Sequence, residues 1–301
     1  MVDNGTVMLI DGHSQIYRAF YGVPMLTNSR QEPINALFAF ARFLIWLDNT
    51  YPHQFGAVVF DKGPPRQRLA LLPEYKAQRP PMPDDLRVQI PAIRQWLQAA
   101  GWPLLEEDGR EADDLIAAVV KERAGHPVYV VSHDKDIGQL VGEGVVQLVP
   151  EKPGVKARLK EVSASVIEGK YGVPPSAIVD WLAMVGDSSD NIPGLPGVGP
   201  KTATALLRRF GDLETMIGRS HEIEQPRLRE TVENSADLLR KNRRLVQLDH
   251  SPPAGWQGLS ALRRKQPDWK QLREFAIGNS FKSLLPVIEE GLQASRSPML
   301  L

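Results

Sequence analysis

The most informative absence from this sequence is cysteine, since its 301 residues contain none. Disulfide bonds and thiolate metal sites are therefore excluded, which fits a reducing compartment. Long apolar runs are missing from the N-terminus, where MVDNGTVMLIDG has four consecutive apolar residues before Asp11. That run is too short for a signal-peptide core or a membrane span. We therefore expect a cytoplasmic protein with no membrane partner.

Net charge is absent as well, because 36 Lys and Arg balance 36 Asp and Glu. Taken alone, this balance disfavours nucleic-acid binding, which usually needs a basic surface. The zero net charge conceals nine carboxylates that follow the predicted strands or open the segments beside them. Without them the chain has 36 basic against 27 acidic side chains. An acidic centre on a basic body suits a metal-dependent enzyme that acts on a polyanion.

Three short apolar runs, rich in Val and Ile, each lead to an aspartate. VMLID ends at Asp11, FGAVVFD ends at Asp61 and VYVVSHD ends at Asp134. None alternates cleanly, which is typical of strands buried on both faces of a parallel sheet. Helical patterns lie between them, so we predict an α/β domain with ligands at the carboxyl ends of its strands. After about residue 175 the pattern turns helical, and the length predicts two domains, 1–175 and 176–301.

Nine carboxylates follow these strands or open the segments beside them. They are Asp11, Asp61, Glu111, Asp113, Asp114, Asp134, Asp136, Asp187 and Asp190. Each alone has an ordinary explanation, because an Asp at a strand end often starts a turn and acids are favoured at helix N-termini. Their coincidence at one sheet edge favours a shared site.

Like charges held close together raise each other's cost of ionisation, so a shared site needs something to offset that cost. A carboxylate cluster with no Cys and no regular His spacing favours hard cations, Mg²⁺ or Mn²⁺. Two such ions suit hydrolysis of a phosphodiester, because one lowers the pKa of a bound water and both stabilise the in-line transition state.

One segment has the pattern of a phosphate site at a helix start. GLPGVGPKTA (194–203) puts tight turns directly before a helix, where backbone N–H groups and Lys201 can hold a phosphate. An ordinary turn between helices is the alternative. The spacing is not that of a Walker loop.

A second segment, PPRQRLALLPEYKAQRPP (64–81), interleaves basic side chains with Tyr75. The basic residues are Arg66, Arg68, Lys76 and Arg79. Such a mixture suits single-stranded nucleic acid, with charge for the backbone and a ring for base stacking. A solvated loop is the commoner meaning. Arg18 follows Asp11 closely enough either to touch a phosphate or to pair with one of the acids.

Seven motifs follow one another in order from about residue 7 to about 290. They are IDGHSQIYRAF, VVFD, EYKAQRPPMPDDL, EADDLI, DKD, GDSSDNIPG and GVGPKTA. Together they resemble the 5′-nuclease domain of bacterial DNA polymerase I, in the flap endonuclease superfamily. The resemblance implies a PIN-like fold: a mainly parallel sheet flanked by helices, with a helical arch at about 62–100. It also implies a C-terminal helix–hairpin–helix at about 180–211.

The resemblance also implies an activity and assigns residues to it. Its members cleave DNA at 5′ flaps, nicks and duplex ends with Mg²⁺ or Mn²⁺, and we expect a monomer here. The first implied metal group is Asp11, Asp61, Glu111, Asp113 and Asp114, and the second is Asp134, Asp136, Asp187 and Asp190. The implied phosphate-facing residues are Tyr75, Lys76, Arg79 and Arg18. The implied duplex-gripping residues, often with a bound K⁺, are Gly197, Val198, Gly199, Lys201 and Thr202. His133 is a departure, since relatives usually carry a small residue there.

Three other functions stay open at this point. A non-catalytic DNA-binding protein would need only the GVGPKTA motif, so the full acidic set disfavours it. A PIN-like RNase would also gather acids at a sheet edge, but the basic segment at 62–83 favours DNA flaps. A small-molecule phosphatase would have no use for the DNA-facing elements. The sequence does not separate a stand-alone nuclease from an excised polymerase domain.

Overall fold

A six-stranded sheet lies at the centre of the computed structural model, which describes residues 5–151 and 158–296. The strands are β1 (Val7–Asp11), β2 (Phe55–Val59), β3 (Leu104–Leu105), β4 (Val128–Val131), β5 (Val145–Pro150) and β6 (Leu159–Val162). Their spatial order is β3-β2-β1-β4-β5-β6. The pairs are parallel except that β6 runs antiparallel to β5. The predicted mainly parallel sheet is confirmed.

The register of the three central strands brings their ends to one level. Asp11 at the end of β1 is aligned with Val59 of β2, and Ile10 is aligned with Val131 of β4. Asp61 and Asp134 follow those strand ends by two and three residues. The three aspartates therefore emerge at the same edge of the sheet, as the apolar runs predicted.

Fourteen α-helices surround the sheet in the described part of the chain. They are α1 (Gly12–Gly22), α2 (Asn35–Thr50), α3 (Arg66–Leu71), α4 (Asp84–Arg87), α5 (Ile90–Ala99), α6 (Ala112–Lys121), α7 (Ala164–Tyr171), α8 (Ile178–Val185), α9 (Pro200–Phe210), α10 (Leu213–Gly218), α11 (Pro226–Asn234), α12 (Ala236–Val246), α13 (Trp269–Gly278) and α14 (Leu285–Arg296). Among these residues no helix combines the length and the apolar character that crossing a bilayer requires.

Strand β1 is buried on both faces and separates two apolar cores. Met8 and Ile10 point into the core formed with α1, α2, α5, α13 and α14, whereas Val7 and Leu9 point into the core formed with α6. Successive side chains on a strand alternate between faces, so a strand between two helical layers must be apolar at every position. This requirement explains why VMLI shows no polar alternation.

A third core joins the helices of the C-terminal half. Trp181 and Leu182 of α8, Leu207 of α9 and Leu239 of α12 pack together there, and Tyr75 contributes to the same core. Helices α13 and α14 pack instead in the core beside α2 and α5. The predicted boundary at 175/176, the arch at 62–100 and the hairpin motif at 180–211 stay predictions.

Candidate metal centre

Asp11 is held at the sheet edge by its position between a strand and a helix. It is the last residue of β1 and caps α1, where its Oδ1 accepts a hydrogen bond from the Ser14 amide at 3.0 Å. Its Oδ2 accepts one from the Ser132 hydroxyl at 2.9 Å. Burial and the nearby Asp61 raise the pKa of Asp11 to about 6. The charged form is therefore disfavoured unless a cation is present.

Asp61 connects the end of β2 to the start of α6. Its Oδ1 accepts a hydrogen bond from the Ala112 amide at 2.8 Å, and its Oδ2 lies 3.0 Å from Nδ1 of His13. Burial favours the neutral acid, but the contacts with His13 and Ala112 outweigh it and lower the pKa of Asp61. Asp61 is therefore held as a carboxylate beside Asp11.

The start of α6 supplies a group of three acids. Glu111 occupies the capping position, and Asp113 and Asp114 lie in the first turn. Each offers a carboxylate oxygen within 4.8 Å of the others. Burial raises the pKa of Asp113 well above its usual range, and the charges of Asp114 and Glu111 add to that effect, which Arg68 opposes. The group can hold a cation, which would relieve this repulsion.

A second group of three acids comes from two distant segments. Asp136 begins a 3₁₀ turn at 136–140, and Asp187 caps another at 188–190 that ends at Asp190. Their nearest oxygens also lie within 4.8 Å of one another. The buried Oδ1 of Asp136 has no hydrogen-bond partner among the described residues. Burial raises the pKa of Asp136 well above its usual range, and Asp134 and Asp190 raise it further.

These groups border a cavity of about 570 Å³. Six of the nine predicted carboxylates line it: Asp11, Asp61, Glu111, Asp113, Asp134 and Asp187. The remaining three are buried and do not line it: Asp114, Asp136 and Asp190. The structure thus brings all nine acids to one region, because each lines the cavity or belongs to a group that borders it.

Cationic side chains from the segment after α3 reach the same acids. Lys76 Nζ bonds Oε1 of Glu111 and lies 3.7 Å from Oδ2 of Asp190. Arg79 Nη2 donates to Oδ1 of Asp190 at 2.5 Å, and the Tyr75 hydroxyl donates to its Oδ2 at 2.9 Å. Burial lowers the pKa of Lys76, but Glu111 and Asp190 outweigh it and raise the pKa above its usual value. These protein cations neutralise part of the acidic charge.

His13 and Lys135 also line the cavity, although neither was among the predicted site residues. His13 contacts Asp61 as described, and Lys135 Nζ lies 2.9 Å from Oδ2 of Asp187. Lys135 stands between the two acids of DKD, and His13 stands two residues after Asp11, so their closeness to acids was a usable signal. Their partners across the fold could not be read from the chain.

Arg18 and His133 lie near the edge of this region and bond to backbone oxygens. Arg18 Nη2 donates to the Glu151 carbonyl at 2.5 Å and forms no ion pair with an acid of the described residues. His133 lines the cavity, and its Nε2 lies 2.9 Å from the Pro150 carbonyl oxygen. The phosphate-binding role of Arg18 stays a prediction.

The glycine-rich turn lies outside this cavity, at the start of α9. Gly197 has φ +75°, a conformation that favours glycine, and Gly199 precedes the first helical residue Pro200. Val198 is buried in the helical core. Lys201 and Thr202 line a separate cavity of about 340 Å³. The turn precedes a helix as predicted, and its DNA-binding role stays a prediction.

Comparisons with known proteins match the whole described architecture. The family model described as 5′-3′ exonuclease, N-terminal resolvase-like domain, matches residues 6–172, and that of the C-terminal SAM fold matches residues 173–270. A 5′-3′ exonuclease of Aquifex aeolicus is 36% identical over 95% of this chain and 96% of its own length. The thermostable DNA polymerase I of Thermus caldophilus is 34% identical over 98% of this chain but only 34% of its own length.

Two kinds of solved structure share the fold at low sequence identity. A mutant of T5 5′-exonuclease aligns with a TM-score of 0.65 and 20% identity, over 96% of this chain and 99% of that one. The catalytic core of Rad2 in complex with a DNA substrate aligns with a TM-score of 0.58 and 18% identity, over 94% and 92%. The chain spans about a third of the length of the Thermus caldophilus polymerase relative. By its sequence and fold, the chain belongs to the 5′-3′ exonuclease family of hydrolytic nucleases.

Proposed function

We propose that this protein hydrolyses DNA phosphodiester bonds at 5′ flaps, nicks and duplex ends, with two divalent cations, Mg²⁺ or Mn²⁺. The observation that carries the proposal is that two groups of three acids border one cavity. They are Glu111, Asp113 and Asp114 in the first group and Asp136, Asp187 and Asp190 in the second. A polyanionic substrate would be repelled by these acids alone, so the cations are required for binding as well as for chemistry.

The side chains of this site fit hard divalent cations. Every charged ligand offered is a carboxylate oxygen, which Mg²⁺ and Mn²⁺ prefer. The buried, unpartnered Oδ1 of Asp136 is costly unless a cation or water completes it. In the proposal, one ion is held by the first group, Asp11, Asp61, Glu111, Asp113 and Asp114, and the other by Asp134, Asp136, Asp187 and Asp190. When bound, these ions supply Lewis acidity and a lowered pKa for water at the scissile phosphate.

The protein's own cations act on the substrate in this proposal. Lys76 bonds Glu111 and Arg79 bonds Asp190, so both cations lie beside the acids that would hold the metal ions and can face phosphate oxygens of a bound strand. Their charge then stabilises the negative charge that develops on the phosphoryl oxygens. Tyr75, which is almost fully buried, holds Asp190 in place through its hydroxyl.

The second half of the protein binds the duplex in this proposal. The amide groups at the start of α9 and the Lys201 charge suit a phosphate of the DNA backbone. A K⁺ ion at this turn, a monomeric state and a cytoplasmic location belong to the same proposal. A T5 flap endonuclease has been solved in a complex with DNA and metal ions, which supports DNA as the substrate class.

The proposal is tested by one cleavage assay with a matched variant. Labelled 5′-flap, nicked and single-stranded DNA and the RNA equivalents are incubated with and without Mg²⁺, using the wild type and Asp134→Asn. We expect metal-dependent cleavage of flap and nicked DNA by the wild type and none by the variant. Preferred cleavage of RNA would favour a PIN-like RNase instead. Binding of flap DNA without any turnover would favour a non-catalytic DNA-binding protein.

A further inference from the structure

Arg68 is a buried cation built into the acid cluster. It lies on α3, its side chain is 8% exposed, and its Nη1 donates to Oε2 of Glu111 at 2.7 Å. Its Nε donates to the carbonyl oxygen of Leu245 at 3.0 Å, at the C-terminal end of α12. Burial lowers the pKa of Arg68, but Asp113 and Asp114 outweigh it and raise the pKa, so the guanidinium stays charged. Arg68 therefore connects three helices at one point.

Asp114 is the main partner of that guanidinium, and both of its oxygens are already occupied. Oδ2 accepts from Nη1 of Arg68 at 2.5 Å, and Oδ1 accepts from Nη2 at 2.9 Å. Oδ1 also accepts from the Asp249 amide at 2.9 Å. This two-point contact is the strongest geometry available to an Arg–carboxylate pair. A metal ion could use Asp114 only through the lone pair that remains on Oδ2, directly beside the positive charge of Arg68.

Asp113 differs from its neighbour in each of these respects. It lines the cavity, whereas Asp114 does not and is only 5% exposed. Successive residues of a helix point about 100° apart, so the two carboxylates leave α6 in different directions. Within the described part of the chain, Asp113 accepts one hydrogen bond, from the Asp114 amide to its Oδ1 at 2.7 Å, which leaves its Oδ2 available. The three-acid group at the start of α6 thus contains two unlike kinds of carboxylate.

We infer that Asp114 does not ligate a metal ion and is instead a positioning residue, which fixes Arg68 so that Arg68 in turn fixes Glu111. This inference rests on the proposed two-metal function and changes one residue of its ligand set. Arg68 holds Oε2 of Glu111, so the other oxygen, Oε1, points to the side where Lys76 contacts it. With Oε2 held by Arg68, the Oε1 atom of Glu111 is the oxygen that lies beside the cavity-lining Lys76.

Single substitutions would not test this inference cleanly. Removing one partner of a buried ion pair leaves an uncompensated charge, which destabilises the fold and repels or attracts cations by itself. Arg68→Gln/Asp114→Asn removes both partners and avoids that problem. Arg68→Gln/Asp113→Asn loses the same two formal charges with the same amide replacement, so it is matched in net charge, but it leaves Asp114 unpaired. The thermal midpoints of the two variants are therefore compared together with their metal binding.

The first measurement is direct Mn²⁺ binding, followed by electron paramagnetic resonance of free Mn²⁺ without DNA. We expect Arg68→Gln/Asp114→Asn to bind two ions, one of them about tenfold more weakly than the wild type, because it loses only the partners that hold Glu111. We expect Arg68→Gln/Asp113→Asn to bind only one ion measurably, because a ligand itself is lost. Equal weakening in the two double variants, at equal thermal midpoints, would overturn the inference.

The second measurement separates positioning from a purely structural role. With flap DNA and saturating Mn²⁺, Arg68→Gln/Asp114→Asn should keep KM while kcat falls at least about tenfold, because Glu111 is no longer held. Arg68→Lys keeps the positive charge without the two-point contact, so its kcat should stay close to that of the double variant and well below that of the wild type. An unchanged kcat in the double variant would overturn the positioning role. A wild type that binds no Mn²⁺ or cleaves no DNA would instead reject the proposed function itself.

Discussion

The hydroxyl of Tyr75 donates a hydrogen bond to Oδ2 of Asp190 at 2.9 Å, although the two residues are 115 positions apart. The same two segments are joined again through the backbone, where the Lys76 amide donates to the Asp190 carbonyl at 3.1 Å. Lys76 adopts a left-handed conformation there, with φ +56°. The segment that carries Lys76 and Arg79 is therefore attached directly to the turn that carries Asp187 and Asp190.

Tyr75→Phe removes this hydrogen bond while keeping the ring. We expect the free energy of unfolding of the metal-free protein to fall by about 1–2 kcal/mol, because a buried carboxylate loses a donor. Urea denaturation in the presence of a chelator measures the change. Tyr21→Phe is the control, since Tyr21 is 70% exposed and should show no effect. Equal stability of Tyr75→Phe and the wild type would contradict a stabilising role for the bond.

Lys76→Met tests whether a protein cation competes with the metal ions. Lys76 bonds Glu111, so its removal should increase Mn²⁺ affinity while kcat on flap DNA falls. Mn²⁺ titration and steady-state kinetics measure the two effects. Lys62→Met is the control, because Lys62 pairs with Glu106 and does not line the cavity. A decrease in both Mn²⁺ affinity and kcat would contradict the competition.

Asp113→Asn and Asp134→Asn test the division between chemistry and binding. Each should reduce cleavage of flap DNA by at least about a thousandfold, since loss of a ligand disables the metal chemistry. Binding of flap DNA in Ca²⁺ should persist, because Lys201 and the start of α9 are unchanged. Asp237→Asn, at an exposed carboxylate on α12, is the control and should stay active. Full activity of either site variant would reject the two-metal scheme.

The raised pKa of Asp11 predicts an unusual pH dependence for the metal-free protein. Its pKa is about 6 in the folded state and near 3.8 when unfolded, so between these values the folded state binds more protons. The stabilisation from this group is fully present below about pH 4 and is lost as the pH rises through 6. Going from about pH 7.5 to about pH 5 should therefore add about 1 kcal/mol from this residue.

Chemical denaturation of the wild type and Asp11→Asn in a chelator at the two pH values measures this effect. Asn carries no charge, so the variant should lack the contribution and should gain most over the wild type near pH 7.5. Saturating Mg²⁺ should make the wild type more stable than Asp11→Asn, because only the wild type keeps the Asp11 carboxylate as a ligand. A stability difference that does not change with pH would show that Asp11 titrates normally.

Lys201→Ala tests the start of α9 as a phosphate site. Binding of duplex DNA should weaken to a similar degree for every sequence, and the slope of log K against log salt should fall by about 0.9. Lys282→Ala, at an exposed lysine between α13 and α14, is the control. Fluorescence anisotropy over a range of KCl concentrations measures both, and an unchanged slope for Lys201→Ala would count against this site.

The central strands and their terminal acids could be predicted because each depends on local sequence. VMLI, FGAVV and VYVV are apolar at every position, as strands between two helical layers must be. The other three strands, β3, β5 and β6, were not predicted, although β5 (VVQLVP) is mostly apolar. β3 has two residues, and β6 (LKEV) is an exposed edge strand with charged side chains, so neither carries a clear pattern.

The pairings inside the site could not be predicted, because they depend on contacts across the fold. Arg68 appeared as one basic residue of a solvated segment, yet it is buried against Asp114, 46 positions away. Lys135 lies between two acids in DKD, but its closest partner is Asp187. The acids were found from type and order, whereas the cations that balance them needed the three-dimensional structure.

The second acid group combines Asp136, from the segment matched by the N-terminal family model, with Asp187 and Asp190, from the segment matched by the C-terminal one. A gene cut between codons 172 and 173 would therefore encode two fragments that each carry an unfinished half of one ion site. Reassociation of the fragments would be the step that restores turnover. Two such fragments could serve as a fragment-complementation reporter, in which cleavage of a DNA strand signals that they have reassociated.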